Sequence, residues 1–255
     1  MNTSLSSRTP ARSAPGPIPF SRLVRVEWAK ATDTRSARWL LALVALLTSG
    51  IMLVPVFVPT SFDQTYASYL RVASLGLNIL LPVVAILLFT GEWSQRSVMT
   101  TFTQEPRRIR VLNAKLAVSM VLGTGGAVFG GVVAAAGLGL ASASGRALEA
   151  NLSVGAVMSY LLYVLLNVLA AVALGALLQS SAAAIAASFA LPAGVALLGT
   201  TGSKLLDWID MATAWKWMID NDWGGHVPQI SVSVIFWVAV PLAAGFVRTV
   251  RRDVG

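Results

Sequence analysis

Six apolar runs without a formal charge restrict the fold of this chain more than any other feature of its sequence. They cover residues 39–58, 72–90, 116–141, 152–178, 182–199 and 230–247. A helix needs about 20 apolar residues to cross the hydrocarbon core of a bilayer, and each run is close to that length. Because an isolated strand cannot satisfy its backbone groups in lipid, the runs predict an all-α integral membrane protein with six transmembrane helices.

The shortest connection lies between the fourth and fifth runs and consists of Gln179, Ser180 and Ser181. A four- or five-span arrangement would treat residues 152–199 as continuous. One straight helix of that length would be far longer than a bilayer is thick. We therefore expect two helices joined by a tight turn.

The composition excludes a water-soluble globular domain. Of the 255 residues, 56% are hydrophobic and only 12% are charged, whereas about 25% of an ordinary soluble chain is charged. The chain has no cysteine and one histidine, His226. Disulfides, zinc–thiolate sites, iron–sulfur clusters and cysteine nucleophiles are therefore excluded.

The basic residues predict the orientation of the spans. Fifteen of the nineteen Lys and Arg residues lie in the first 38 residues, in the connection over 91–115 and in the tail from residue 248. Because short cytoplasmic loops are enriched in Lys and Arg, we expect both termini in the cytoplasm and a multi-pass protein of the plasma membrane. This placement accounts for the net charge of +8 without nucleic acid as a partner.

We expect three parts along the chain. Residues 1–19 are rich in Ser, Pro and Arg and are predicted to form a disordered cytoplasmic tail. Residues 39–255 form the six-helix domain, with a cytoplasmic loop at 91–115 and an outer segment at 200–229. Between them, residues 20–38 are predicted to form an amphipathic surface helix, or a basic juxtamembrane segment held by lipid headgroups. The apolar residues at helical spacing there are Phe20, Leu23, Val24, Trp28 and Ala31.

The outer segment contains four tryptophans, Trp208, Trp215, Trp217 and Trp223. Apolar residues recur there about one helical turn apart, which predicts an interfacial or partly re-entrant helix between spans five and six. An aromatic belt at headgroup depth is the favoured interpretation, and an outer gate is the alternative.

Few polar side chains interrupt the runs, and the most prominent are Asn78, Tyr160, Tyr163 and Asn167. Such side chains commonly form hydrogen bonds between helices, which is the favoured interpretation for the two asparagines. The alternative is that these four residues line a substrate pathway.

Several kinds of chemistry have no sequence signal. No charged residue lies inside a run to relay protons or to bind sodium by charge, although ion sites made of neutral ligands stay possible. The segment GTTGSK at 199–204 is not a phosphate-binding loop, and no GxSxG elbow or cluster of metal ligands is present. We therefore expect neither an enzyme nor a chain that binds a cofactor or metal itself.

Two stretches resemble the membrane-spanning subunits of type-2 ABC transporters, which are six-helix permeases that work with a separate ATPase. The first is RVEWAKATDTRSARW, with Arg25, Glu27 and Lys30. The second follows the second span and contains Glu92, Thr100, Thr101, Phe102, Pro106, Arg108, Val111, Leu112, Ala114 and Lys115. The chain departs from the family at Arg96 and Ser97, where relatives have Gly-Thr.

The resemblance implies that a coupling helix seated in the ATPase begins at Glu92. The residues expected to couple to the ATPase are Glu92, Arg96, Thr101, Phe102, Pro106 and Arg108. Those expected in the connecting surface helix are Glu27, Trp28 and Lys30, and those in the outer gate are Trp208, Trp215 and Trp217. ATP and magnesium would bind the cytoplasmic ABC ATPase, and a second permease subunit, identical or related, would complete the transporter.

The family and the neutral spans together imply export of an amphipathic or hydrophobic substrate, such as a drug, a peptide or a lipid-like natural product, and hence a role in drug or antibiotic resistance. Two other functions stay open. One is a non-transporting immunity or accessory subunit, and the other is an ion-driven secondary transporter. A membrane-embedded enzyme is disfavoured.

Overall fold

A computed structural model describes residues 18–58, 62–94, 107–147, 153–200 and 202–251. Of these residues, 87% are helical and none lies in a strand. The helices are α1 (Phe20–Thr32), α2 (Arg35–Phe57), α3 (Tyr66–Ser94), α4 (Arg108–Ala143), α5 (Val154–Leu178), α6 (Ser181–Gly199), α7 (Lys204–Ile209), α8 (Met211–Ile219), α9 (Val227–Val234) and α10 (Val240–Arg251), with a π-helical turn (Ile235–Ala239) joining the last two.

Six helical segments are long and apolar enough to cross a membrane, as the sequence predicts. They are α2, α3, α4, α5, α6 and the continuous segment Val227–Arg251. Several continue past the predicted apolar limits, because a helix ends where its backbone hydrogen bonding ends rather than where its hydropathy falls. The largest extension is at the start of α4, which begins at Arg108 and so includes Lys115.

The predicted turn between the fourth and fifth spans is confirmed. Gln179 adopts the left-handed conformation with φ of 54°, which ends α5. The side chain of Ser180 caps α6 by accepting a hydrogen bond from the Ala183 N–H at 3.5 Å. The chain therefore reverses direction within two residues, Gln179 and Ser180.

The core lies among α2, α3, α4 and α5, with α3 in contact with each of the other three. Its fully buried side chains include Tyr69, Leu77, Phe89, Val164 and Val168. The sixth helix is peripheral, since Ala184 is its only buried residue.

The ends of α1 and α2 differ from the prediction. The first helix ends at Thr32, not at residue 38, and the side chain of Thr34 caps α2 by accepting from the Ala37 N–H at 3.2 Å. On α1, Phe20 and Trp28 are exposed, whereas Glu27 and Ala31 are buried. The helix therefore packs on the bundle through a face that contains a carboxylate.

The outer segment forms two helices rather than the single helix predicted. Asp210 separates α7 from α8, and its carboxylate accepts hydrogen bonds from the Ala212 N–H at 3.0 Å and the Thr213 hydroxyl at 2.5 Å. This N-cap starts a new helix and redirects the chain.

Close packing of α2 on α3 depends on Gly76. A Cβ atom at this position would lie 2.5 Å from the Thr48 Cα and 2.9 Å from the Thr48 N, both of them backbone atoms. We expect Gly76→Ala to lower the free energy of unfolding by about 1 to 3 kcal/mol, because one helix must move away from the other. Unfolding of the purified chain in mixed micelles measures this effect.

Gly125 provides the matched control, since a Cβ atom there meets nothing within 4 Å. Gly125→Ala is expected to leave stability unchanged or to raise it by about 0.5 to 1 kcal/mol through helix propensity. Equal effects of the two substitutions would contradict the packing of α2 on α3 described above.

Candidate functional site

Four charged side chains from three helices meet at the end of the bundle that carries both the start of α1 and the end of α10. Glu27 and Lys30 come from α1, Glu92 from α3 and Lys115 from α4; we call them the charge cluster. The Glu27 carboxylate lies 2.8 Å from the Lys115 Nζ and 2.7 Å from the Lys30 Nζ. Glu92 lies 2.5 Å from the Lys30 Nζ and 3.5 Å from the Lys115 Nζ.

The charge cluster has a buried pair, Glu27 and Lys115, and a more exposed member, Lys30. Glu27 and Lys115 are each 3% exposed, whereas the Lys30 side chain is 40% exposed. Two carboxylates and two ammonium groups balance, and the Lys115 Nζ also donates to the Leu88 carbonyl at 3.2 Å. Such pairing is required here, because removing a charge from a buried pair leaves its partner without compensation.

Lys30 keeps its proton in this arrangement. Burial lowers the pKa of Lys30, but hydrogen bonds to Glu27 and Glu92 and their negative charges raise it by more, and the net shift is upward. A raised lysine pKa contributes stability at pH values below the unfolded value of 10.5 and loses that contribution as the pH rises through the folded pKa. Lys30 therefore makes this contribution in full at neutral pH.

Small and apolar residues bring α1 close enough for these contacts. Ala31 packs with Leu88 of α3 and Val118 of α4 in a separate apolar group. Glu27 and Lys30 are three residues apart and therefore share one face of α1. This face joins the end of α3 to the start of α4, which residues 95–106 connect along the chain.

The predicted coupling residues are only partly described. Arg96, Thr101, Phe102 and Pro106 lie outside the described residues. Glu92 is in the charge cluster. Arg108 begins α4, and its guanidinium donates to the Thr249 carbonyl at 3.0 Å near the end of α10.

Further contacts hold the end of the last span at the same place. The Gln179 amide donates to the Thr249 hydroxyl at 3.0 Å, and the Arg248 guanidinium donates to the Leu177 carbonyl. The residues that flank the loop on its two sides therefore contact α1 through Glu92 and α10 through Arg108.

A second candidate site is a partly open cavity of about 50 Å³ beside α6, lined by Asn78, Asn167, Ser188, Phe189 and Trp237 among others. Both predicted asparagines line it and both donate to Tyr163. Asn78 donates to the Tyr163 hydroxyl, and Asn167 donates to the Tyr163 carbonyl at 2.9 Å. The asparagines are thus both hydrogen-bonded and cavity-lining.

Tyr160, which the sequence grouped with the asparagines in a possible substrate pathway, is not among the residues that line this cavity. It is 3% exposed, and its hydroxyl donates to the Ala127 carbonyl of α4 at 3.0 Å.

The tryptophans predicted for the outer gate have different environments. Trp208 is 41% exposed and Trp215 is 4% exposed. Trp217 stacks on His226, with ring centroids 3.9 Å apart. The Trp223 indole donates to the Ser159 hydroxyl at 2.9 Å, which joins the segment to α5.

Two structural features of these candidate sites were missed by sequence reasoning. The charge cluster brings together residues up to 88 positions apart, and only its i, i+3 pair has a local signal. Trp237 lies in the π turn that precedes Pro241, and proline within a helix is a signal for such a distortion. In the described ranges, no group of three or more His, Asp or Glu side chains is placed to hold a metal ion.

These features define an α-helical multi-pass membrane protein with a buried charge cluster at one end. Comparison of the sequence with models of known protein families and with curated proteins found no match.

Proposed function

We propose that this chain is the membrane-spanning permease subunit of an ATP-driven exporter, similar to type-2 ABC transporters, with ATP and magnesium bound by a separate cytoplasmic ATPase. The observation that carries this proposal is the charge cluster. It links Glu27 and Lys30 of α1 to Glu92 and Lys115, which lie on the two helices joined by the loop over 95–106.

The charge cluster suits the transmission of force from that loop. A partner that binds this loop moves the end of α3 and the start of α4 together. Because Lys30 contacts Glu92 at 2.5 Å and Glu27 contacts Lys115 at 2.8 Å, α1 follows both helices. The Arg108 contact with the Thr249 carbonyl extends the same motion to the last span.

The partner must bind the two arrangements of the helices with different affinity, since a ligand with equal affinity for both shifts no equilibrium. ATP binding and hydrolysis on an ATPase supply that difference. In this proposal the end that carries the charge cluster faces the cytoplasm, and α1 lies against the membrane surface with Phe20 and Trp28 exposed to it.

The size of the cavity beside α6 limits what can bind in it. At about 50 Å³ it is smaller than the roughly 300 to 1,000 Å³ of sites for drug-sized ligands. An amphipathic or hydrophobic substrate therefore passes along a surface that this chain shares with a second permease subunit. The outer helices α7 and α8, with Trp208 exposed, would form the exit on the other side.

Affinity purification of the tagged chain in mild detergent from its native membrane tests the proposal. We expect a cytoplasmic ATPase in stoichiometric amount, identified by mass spectrometry and by ATP hydrolysis in the purified material. Pro106→Ala combined with Thr101→Ala is expected to reduce its recovery at least about 10-fold, a loss of about 1.4 kcal/mol of binding free energy.

Asn113→Ala is the control, because this exposed position on α4 lies outside residues 95–106. Recovery of the chain without an ATPase, under conditions that preserve a known exporter complex, would contradict the proposal. That result would favour an ion-driven secondary transporter or a non-transporting immunity subunit.

A further inference from the structure

Two amide side chains with unused hydrogen-bonding groups line the cavity beside α6. Asn78 donates one N–H to the Tyr163 hydroxyl, and Asn167 donates one N–H to the Tyr163 carbonyl at 2.9 Å. An amide group has two N–H donors and an oxygen with two lone pairs. Among the described residues, the second N–H and the oxygen of each amide have no partner.

The hydrogens of the other polar side chains in the lining are already used. The Ser188 hydroxyl donates to the Ile185 carbonyl at 2.8 Å, and the Trp237 indole donates to the Ile209 carbonyl at 2.7 Å. No acidic or basic side chain is among the lining residues. The side-chain groups left for a ligand are therefore neutral, and the two amides supply both donors and acceptors.

Most of the remaining lining is apolar and includes Leu174, Phe189 and Met211. The cavity is partly open, and Phe189 is 48% exposed on the surface of α6. This helix is long and apolar enough to cross a membrane and has one buried residue, so its exposed side meets lipid or another membrane-embedded molecule. A ligand can therefore reach the asparagines from an apolar phase.

The volume limits the part of a ligand that can enter. The cavity measures about 50 Å³, whereas a cavity that binds benzene measures roughly 150 Å³. It therefore holds a polar group of a few non-hydrogen atoms, and the rest of the molecule must lie outside, along α6.

A primary carboxamide matches the two asparagines in number, because it brings two N–H donors and one oxygen with two lone pairs. An ester only accepts hydrogen bonds and a hydrocarbon does neither, so each of them leaves amide groups of the site unpaired in apolar surroundings, which weakens binding. Water has as many donors and acceptors as a carboxamide, but it gains nothing from the apolar part of the lining.

We propose that this cavity binds the primary carboxamide group of an amphipathic molecule whose apolar chain leaves beside Phe189 and lies along α6. Asn78 and Asn167 each donate the unused N–H to the ligand carbonyl and accept an N–H from the ligand. This binding requires no ATPase. That the bound molecule is the exported substrate rests on the proposed function, and it narrows the substrate to amphipathic molecules that carry a carboxamide.

Competition against tritiated oleamide, which carries a primary carboxamide on an apolar chain, tests the site. Binding to the purified chain in phosphatidylcholine nanodiscs is measured by scintillation proximity, with empty nanodiscs as the blank. Methyl oleate has an ester in place of the carboxamide, and octadecene has no polar group. We expect both to compete at least about 10-fold more weakly than unlabelled oleamide. Equal competition by the three compounds, or no binding above the blank, would overturn the proposal.

Two substitutions remove the unused amide groups at similar side-chain volume, Asn78→Leu and Asn167→Leu. The hydrogen bond lost from Asn167 runs to a carbonyl four residues earlier in the same helix, so its loss breaks no contact between helices. Each variant is expected to reduce the preference for oleamide over octadecene at least about 10-fold. This preference is a ratio of two affinities measured on the same sample, so it does not depend on the fraction of the chain that is folded.

Asn113→Leu is the matched control, since it makes the same change at an exposed position that does not line the cavity. It is expected to keep the full preference for oleamide. An undiminished preference in both Asn78→Leu and Asn167→Leu would also overturn the proposal. Oleamide binding is measured without an ATPase, and recovery of an ATPase is measured without oleamide, so the two proposals fail separately.

Discussion

Glu27→Leu is expected to lower the free energy of unfolding by about 3 to 5 kcal/mol, because it leaves the buried ammonium of Lys115 without its closest carboxylate. The two groups are 2.8 Å apart, and both side chains are almost fully buried. Adding Lys115→Met is expected to restore most of this loss, since the remaining charges, Lys30 and Glu92, still pair at 2.5 Å. Denaturation of the purified variants in mixed micelles measures both effects.

Asp33→Asn is the control for this comparison. Asp33 lies 3.8 Å from Arg38, and both side chains are about two-thirds exposed. An exposed pair of this kind contributes about 0 to 1 kcal/mol, so the substitution should change little. If Glu27→Leu cost no more than Asp33→Asn, or if the double variant were less stable than either single variant, the charge cluster would not be the buried network described here.

The six spans could be predicted because the rule behind them is local. A run of about 20 apolar residues must satisfy its backbone within itself in lipid, whatever its neighbours are. The tight turn at Gln179 follows from length alone. Helix ends were less accurate, and the signals that set two of them were present in the sequence. Thr34 before α2 and Asp210 before α8 are both residues that favour the N-cap position.

The charge cluster could not be predicted as a unit, since its members come from three helices. Glu27, Lys30, Glu92 and Lys115 were each noted for their resemblance to a family, but nothing local shows that Lys115 is buried against Glu27. The predicted apolar stripe on α1 instead leaves Trp28 exposed. The burial of the Glu27 carboxylate is explained only by the packing of α1 on α4, which places Lys115 beside it.

The cavity illustrates the same limit inside the membrane. Asn78 and Asn167 were predicted to be either interhelical bonds or pathway residues, and each of them in fact bonds to Tyr163 and lines the cavity. Tyr160 was grouped with them as a polar side chain within the apolar runs, and its hydroxyl donates to the Ala127 carbonyl of α4.

The double variant Glu27→Leu with Lys115→Met is expected to bind the ATPase but to lose most of the ATP-driven movement of the spans. It removes the contact between α1 and α4 without touching the loop over 95–106. Since the chain has no cysteine, spin labels can be placed at two exposed positions, Ser142→Cys near the end of α4 and Leu205→Cys on α7. The labelled chain is then combined with the ATPase that co-purifies with the wild type.

The distance between these labels, measured without nucleotide and with ATP plus vanadate, tests most directly whether the charge cluster transmits motion across the bundle. We predict a clear change of the distance distribution in the wild-type background and in the Asp33→Asn control, and little or no change in the double variant. An equal ATP-driven change in the double variant, with the ATPase still bound, would contradict the account.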